Sequence, residues 1–471
     1  MRAPAGHRRL LVRCMLVAMV FTIASIQFAN GAAVNQPDID AQHSRYVAHA
    51  TRPPLRKAWQ IEVATAPISF VTIGDILCVL GVGRQGGSLI AVSARSGNVV
   101  WTRPSTADYL DRYAISVVGG LIGLADRGVV RILRPADGKE VATLRPPGVD
   151  RIYSMTTLHS GDLILSTAAG KDVPFMQINL RSPGSPISRV VDLGPWDPYG
   201  AHSGHFHLRG LSTTEFGSDG TLCLYDGNTL ITLGHGISGH VTGLRWIGTA
   251  PPIQMCDGRY VYKVTTVNGR RAIAALDKHL RLVWQWRSEE ELDGLSHYPN
   301  TSACLTSTTV VVATQTYLVG IDKANGRLRF RIRHRQRFES ECSVVACGDV
   351  IYCAGAYRIA AFSSRTGNLL WQDRLPGQAP YQVMPAGNAL YVSGRTVVTG
   401  SVYHPSTYFL LKLVPAGKQT NEDSGMLDER GRPRGAHYMA AKYPIGCERR
   451  ETTGQAPLHL QCKTSNPCKP M

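Results

Sequence analysis

The sequence is short of the features by which many enzymes and nucleotide-binding proteins declare themselves. None of its 11 cysteines falls in a Cys-x-x-Cys pattern, which excludes a zinc ribbon and a covalently attached haem. It has no G-x-S-x-G elbow, no P-loop and no Rossmann fingerprint. Nucleophilic catalysis and nucleotide binding therefore have no motif behind them, and no catalytic residue is nominated. Acids are scarce: 34 Asp and Glu stand against 51 Lys and Arg, a formal net charge of +17. The short acidic run Glu289, Glu290, Glu291 and Asp293 follows Trp284 and Trp286 and reads as a solvated loop rather than an acid–base pair. Long apolar runs are missing too. The stretch from Cys14 to Phe28 has 15 residues, short of the about 20 that a spanning helix needs.

That stretch has another reading. Arg2, Arg8, Arg9 and Arg13 precede or abut it, and Ala29, Gly31, Ala32 and Ala33 follow it. Basic residues, an apolar core and small residues in that order are a secretory signal, placed at 1–31. An uncleaved N-terminal anchor is the alternative. Cleavage near Gly31 leaves 47 basic against 34 acidic side chains, a net charge of +13. Such a surface favours anionic partners, and export to a periplasmic or extracellular space removes nucleic acid from among them. Export also permits disulfides. Cys342 and Cys353 flank a hairpin turn expected at Gly348-Asp349 and are a candidate pair. Cys447, Cys462 and Cys468 could staple the tail, while Cys78, Cys223, Cys256 and Cys304 read as buried thiols.

Glycine and proline are what the chain has in plenty, 47 and 27 of them. Many turns mean many short strands, hence an all-β fold. The turns repeat. IAVSARSGNVVW, ending at Trp101, returns 270 residues later as AAFSSRTGNLLW, ending at Trp371. Weaker copies centre on Gly138, Gly184, Gly227, Leu280 (before Trp284), Gly326 (before Phe330) and Gly417. The steps are 41, 46, 43, 53, 46, 41 and 50 residues, and the first six average 45. A period of that length built from strand–turn–strand units predicts four-stranded propeller blades. LRKAWQIEV, with Trp59 in the tryptophan slot and no blade before it, reads as a lone outer strand that closes the ring. The expectation is one propeller of eight blades, or seven, over residues 55–415. It follows a signal (1–31) and a linker (32–54), and a polar, cysteine-containing extension (416–471) comes after it. In each unit the glycine supplies positive φ to the turn, and the aromatic four residues on packs against the neighbouring blade.

This repeat resembles the quinoprotein-type, or PQQ-like, propeller repeat, whose pattern is Ala-x-Asp-x-x-Thr-Gly-x-x-x-Trp. Ala91, Ser96, Gly97 and Trp101 match one copy, Asp322, Asn325 and Gly326 another, and Ala361, Thr366, Gly367 and Trp371 a third. The aspartate slot holds Ser93 and Ser363 in the two best copies. The resemblance implies one of two branches. Dehydrogenases that hold pyrroloquinoline quinone with calcium carry an adjacent Cys-Cys pair, which is absent here. Non-catalytic BamB-type periplasmic propellers match better in length and blade number. The expected function is an exported, monomeric, non-catalytic module that binds an envelope protein or an anionic polymer and needs no cofactor. A PQQ-dependent dehydrogenase and a metal-binding propeller are the alternatives.

Two clusters are candidate sites. In GRLRFRIRHRQR, Arg327, Arg329, Arg331, Arg333, Arg335 and Arg337 fall at every second position. If this is an outer strand, they share one face, while Leu328, Phe330 and Ile332 turn into the blade packing. That face is either a charged edge that resists sheet-to-sheet pairing or an anion-binding stripe. His202, His205 and His207 form HSGHFH, where two imidazoles on one strand face could bind a metal. A solvated loop is the other reading.

Overall fold

A computed structural model gives the structure of the chain. It describes residues 46–48, 51–83, 86–107, 114–158, 162–168, 172–178, 188–195, 212–216, 221–225, 229–233, 241–246, 254–267, 270–287, 303–313, 317–333, 343–355, 357–397 and 407–416. The chain divides into two units, 1–416 and 417–471, and the described residues all belong to the first. The predicted signal (1–31) and the extension beyond Ala416 lie outside them.

Every helix or strand among the described residues is a strand. The strands form eight sheets whose consecutive strands pair antiparallel. In chain order, sheets one to seven lie within residues 66–105, 115–144, 151–195, 212–246, 254–287, 303–333 and 343–374. Sheet eight takes three strands from residues 378–415, and its fourth is Leu55–Val63 from the N-terminal side. That strand pairs antiparallel with Thr407–Pro415, from Leu55 opposite Pro415 to Val63 opposite Tyr408. Sheet seven carries a fifth, two-residue strand inside the expected linker: Tyr46–Val47 lies parallel to Ser343–Cys347.

Burial falls from the first strand of a sheet to the fourth. APISFVTI (Ala66–Ile73) is buried throughout, as is VIYCAG (Val350–Gly355), whereas LLWQDR (Leu369–Arg374) is almost wholly exposed. Continuous apolar runs are what a strand needs when sheets cover both of its faces. The shared cores show this covering: Phe70, Val345 and Leu390, from sheets one, seven and eight, lie in one cluster. Ile68, Ile122 and Leu163, from sheets one to three, lie in another.

Four of the joints between sheets are made by the aromatic of one outer strand and the turn glycine of the next sheet. Gly97, Gly138, Gly326 and Gly367 all have positive φ, from +66° to +81°. In each, the amide donates to the carbonyl four residues earlier, at 2.8–2.9 Å. A Cβ on Gly97 would meet the ring of Trp59 at 2.9 Å, and one on Gly138 the ring of Trp101 at 2.7 Å. Gly326 is covered in the same way by Trp284, and Gly367 by Phe330. The indole N–H then bonds to the carbonyl three residues before that glycine. Trp59 donates to Ala94 at 3.0 Å, Trp101 to Pro135 at 2.7 Å and Trp284 to Lys323 at 2.9 Å. Within their own sheets four of the aromatics stand opposite a small residue, so the ring can lie flat: Trp101 faces Ala91, Trp284 faces Ala275, Phe330 faces Gly320 and Trp371 faces Ala361, whereas Trp59 faces Lys412. Burial of each ring contributes on the order of 3 kcal/mol. Leu280 holds the glycine slot of sheet five at φ +60°, a conformation costly for a side chain with a Cβ.

Gly227 lies between Thr221–Tyr225 and Thr229–Leu233, the second and third strands of sheet four, whereas the slot belongs between the third and fourth. A glycine-containing hairpin signal marks a tight turn but does not say which hairpin of the sheet it closes. Gly184 falls between the third and fourth strands of sheet three, outside the described residues.

Candidate functional site

The arginine-rich strand is Leu328–Arg333, the outer strand of sheet six. Its expected alternation fails at one point. Gly320 pairs with Phe330 and Ile321 with Leu328, which leaves Arg329 in a β-bulge. A bulge inserts one residue and reverses the faces beyond it. Phe330 is buried, yet Leu328 is 48% exposed and does not enter the packing. The same bulge recurs beside Val99 and Val100 and beside Leu369 and Leu370, which are exposed in the same way.

The arginines consequently part company. Arg329 turns back onto Asp322, with Nη2 2.6 Å and Nε 2.8 Å from one carboxylate oxygen, and its other nitrogen donates to Thr308 at 2.9 Å. Burial pushes the Asp322 carboxyl up, but hydrogen bonding and charge from Arg329 prevail and hold it below the ordinary value. Arg331 stacks on Tyr317, its guanidinium carbon 4.0 Å from the ring centroid. Arg327 and Arg333 are exposed, while Arg335 and Arg337 lie outside the described residues. Two of the four described guanidinium groups are thus engaged within their own sheet.

A polar network missed in the sequence joins sheets five and six. Lys323 Nζ lies 2.6 Å from Asp257 Oδ2, and the buried Tyr262 hydroxyl donates to the same oxygen at 2.8 Å. Lys323 also donates to the Thr306 carbonyl at 3.2 Å. The other Asp257 oxygen accepts from the backbone amides of Arg259 and Tyr260. Burial alone would raise the Asp257 carboxyl. Lys323, by hydrogen bond and charge, and the bonds from Tyr260 and Tyr262 more than offset it, so the group is held low. Tyr262 is pushed well above the ordinary phenol range by burial, then by the Asp257 charge beside it. Lysine and tyrosine here share one carboxylate beside Trp284, whose ring centroid is 5.9 Å from that of Tyr262. This is the chemistry of a joint rather than of a proton relay.

Other candidates fall elsewhere. His202, His205 and His207 lie outside the described residues, as do Glu289, Glu290, Glu291 and Asp293. Among the described residues no group of three His, Cys, Asp or Glu is placed to hold a metal ion, and no helix is long and apolar enough to cross a membrane. Cys78, Cys223, Cys256, Cys304, Cys347 and Cys353 are buried thiols without a disulfide. Cys353 sits in the core of sheet seven, and Cys342, its candidate partner, lies outside the described residues. Burial pushes the Cys347 thiol up to about 12, so it is poor in reactive thiolate at neutral pH.

Residues 261–418 match the family model described as outer membrane protein assembly factor BamB. Over those residues the chain carries PQQ-like repeats. The sequence matches no curated protein. Among solved structures, the quinohemoprotein alcohol dehydrogenase of Comamonas testosteroni is similar at 12% identity and a TM-score of 0.55, covering 85% of this chain and 84% of that one. The quinohemoprotein alcohol dehydrogenase ADHIIG of Pseudomonas putida HK5 is similar at 9% identity and a TM-score of 0.54, covering 85% and 82%. BamB of Moraxella catarrhalis is similar at 13% identity and a TM-score of 0.51, covering 76% of this chain and 98% of that one. Likeness at these identities shows the fold of the PQQ-like repeats alone.

Proposed function

We propose that the eight sheets are the blades of one propeller closed by Leu55–Val63, and that it is an exported, monomeric, non-catalytic binding module of the cell envelope. The observation that carries this reading is the match of residues 261–418 to the BamB family model. Closure is supported by packing: sheet eight shares one core with both sheet seven and sheet one. Binding rather than catalysis is supported by Asp257, Lys323 and Tyr262, ionisable groups that are spent on each other.

The likeness to two quinohemoprotein alcohol dehydrogenases favours a second reading, a PQQ-dependent dehydrogenase using calcium. The residues do not fit the group that this reading implies. The adjacent Cys-Cys pair of such enzymes has no counterpart in the chain, and the described thiols sit singly within buried strands.

The test is affinity capture from native envelope using the mature chain with and without residues 417–471, alongside calorimetric titration with quinone and calcium. The binding reading expects a specific envelope protein and no heat of quinone binding. Dye-linked alcohol oxidation on adding quinone and calcium would show it to be wrong.

A further inference from the structure

Sheet seven alone among the described sheets carries a fifth strand, and that strand shows what its edge accepts. Tyr46 pairs with Ala346 and Val47 with Cys347, in parallel. The Gly348 amide donates to the Val47 carbonyl at 2.7 Å. The two side chains leave on opposite faces, as a strand requires. Tyr46 packs on the core shared by sheets six and seven, and Val47 on the core shared by sheets seven, eight and one. A second anchor lies further along. The Tyr352 hydroxyl donates to the Thr51 carbonyl at 2.5 Å, and Thr51 is 1% exposed.

We infer that the edge of Ser343–Cys347 is a strand-acceptor site for a protein partner, filled in this structure by the chain's own Tyr46–Val47. The inference rests on the binding-module reading above and names its mode. An extended polypeptide fits if it presents an aromatic residue followed by a β-branched one, with a carbonyl to meet Gly348. Backbone pairing supplies attachment, and the two side-chain positions supply selectivity. The resident joint is short. It has two register pairs, whereas five join Ser343–Cys347 to Val350–Gly355. A partner segment can therefore displace the resident strand without opening the sheet.

The test uses a fluorescent peptide of residues 43–52 and the full chain carrying Tyr46→Gly and Val47→Gly. The peptide should bind the double variant at least about tenfold more tightly than the unaltered chain, and a peptide with glycine at both positions should bind neither. Equal affinity for the two chains, or no binding to the double variant, overturns the inference. Should the double variant fail to fold, Tyr352→Phe takes its place, read by hydrogen exchange. The Gly348 amide should then exchange about tenfold faster while the amides of Val350–Gly355 hold their rates, and an unchanged Gly348 rate overturns the inference. Envelope capture separates the two proposals. Captured protein that excess peptide does not displace sinks the acceptor edge alone, whereas peptide binding to the variant with nothing captured sinks the module reading alone.

Discussion

Trp284 lies flat on Gly326, and a single added carbon at that glycine would stand 2.7 Å from the indole ring. The turn sets φ at +71° there, so Gly326→Ala meets both a clash and backbone strain. It should lower stability by about 2–4 kcal/mol. Gly74 separates the two effects, since it has φ +56° with nothing within 4 Å. Gly74→Ala should cost only about 1 kcal/mol. Urea midpoints of the two variants check this, and equal losses would mean that the ring contact contributes nothing.

The indole N–H of Trp284 donates to the Lys323 carbonyl at 2.9 Å. Trp284→Phe should keep most of the packing and cost about 1–2 kcal/mol, chiefly for the carbonyl left without its donor. Trp284→Ala should cost about 3–5 kcal/mol. Phe330 performs the same task with no N–H to offer, which makes the phenylalanine variant a natural state of this joint.

Asp257 is held below the ordinary carboxylate value chiefly by Lys323, against the upward push of burial. A lowered carboxylate stabilises the fold above its unfolded value of about 4, and that contribution is lost as pH falls through the folded value. Asp257→Asn should therefore be less stable than the unaltered chain at pH 7 by about 1–3 kcal/mol. The gap should close as pH falls below about 4. Thermal melts at stepped pH give the answer, and a gap that does not change with pH would remove the charge from the account.

Lys263 works in the opposite direction. It is 1% exposed, and burial pushes its amine down to about 7. The unfolded chain keeps the proton up to about pH 10.4. Between those values the unfolded state binds more protons, so the penalty is largest at and below pH 7 and fades as pH rises. Lys263→Met should stabilise the fold by a few kcal/mol at pH 7 and by little at pH 10. A methionine variant less stable at pH 7 would show that the buried amine is held by more than it costs.

The arginines can be tested separately. Arg329→Gln loses its bond to Asp322 and should cost about 0.5–1 kcal/mol with no change in the salt needed to release the protein from an anionic resin. Arg327→Gln with Arg333→Gln should leave stability alone and lower that salt concentration. The reverse pattern would place anion binding on Arg329.

The periodic skeleton was legible because it rests on local chemistry. A glycine that must hold positive φ and an aromatic four residues later carry their reason with them, as at Gly97 and Trp101 or at Gly367 and Trp371. What escaped depends on register or on distance along the chain. The exposure of Leu328 follows from a bulge at Arg329, and a bulge there has no residue signature of its own. Gly227 fits the repeat yet falls in a different hairpin of its sheet, because turn chemistry is alike in every hairpin. The bond between Asp257 and Lys323 joins two sheets whose approach only the fold determines, and Tyr46–Val47 is too short to stand out from a linker.

The joints have a direction. At four joints the outer strand of one sheet gives an aromatic ring to the glycine turn of the next: Trp59 to Gly97, Trp101 to Gly138, Trp284 to Gly326 and Phe330 to Gly367. A run of sheets cut out at two of these joints would end with an ungiven ring at one side and an uncovered glycine turn at the other. Those ends are complementary to each other but not to themselves. Fragments should therefore associate head to tail rather than face to face.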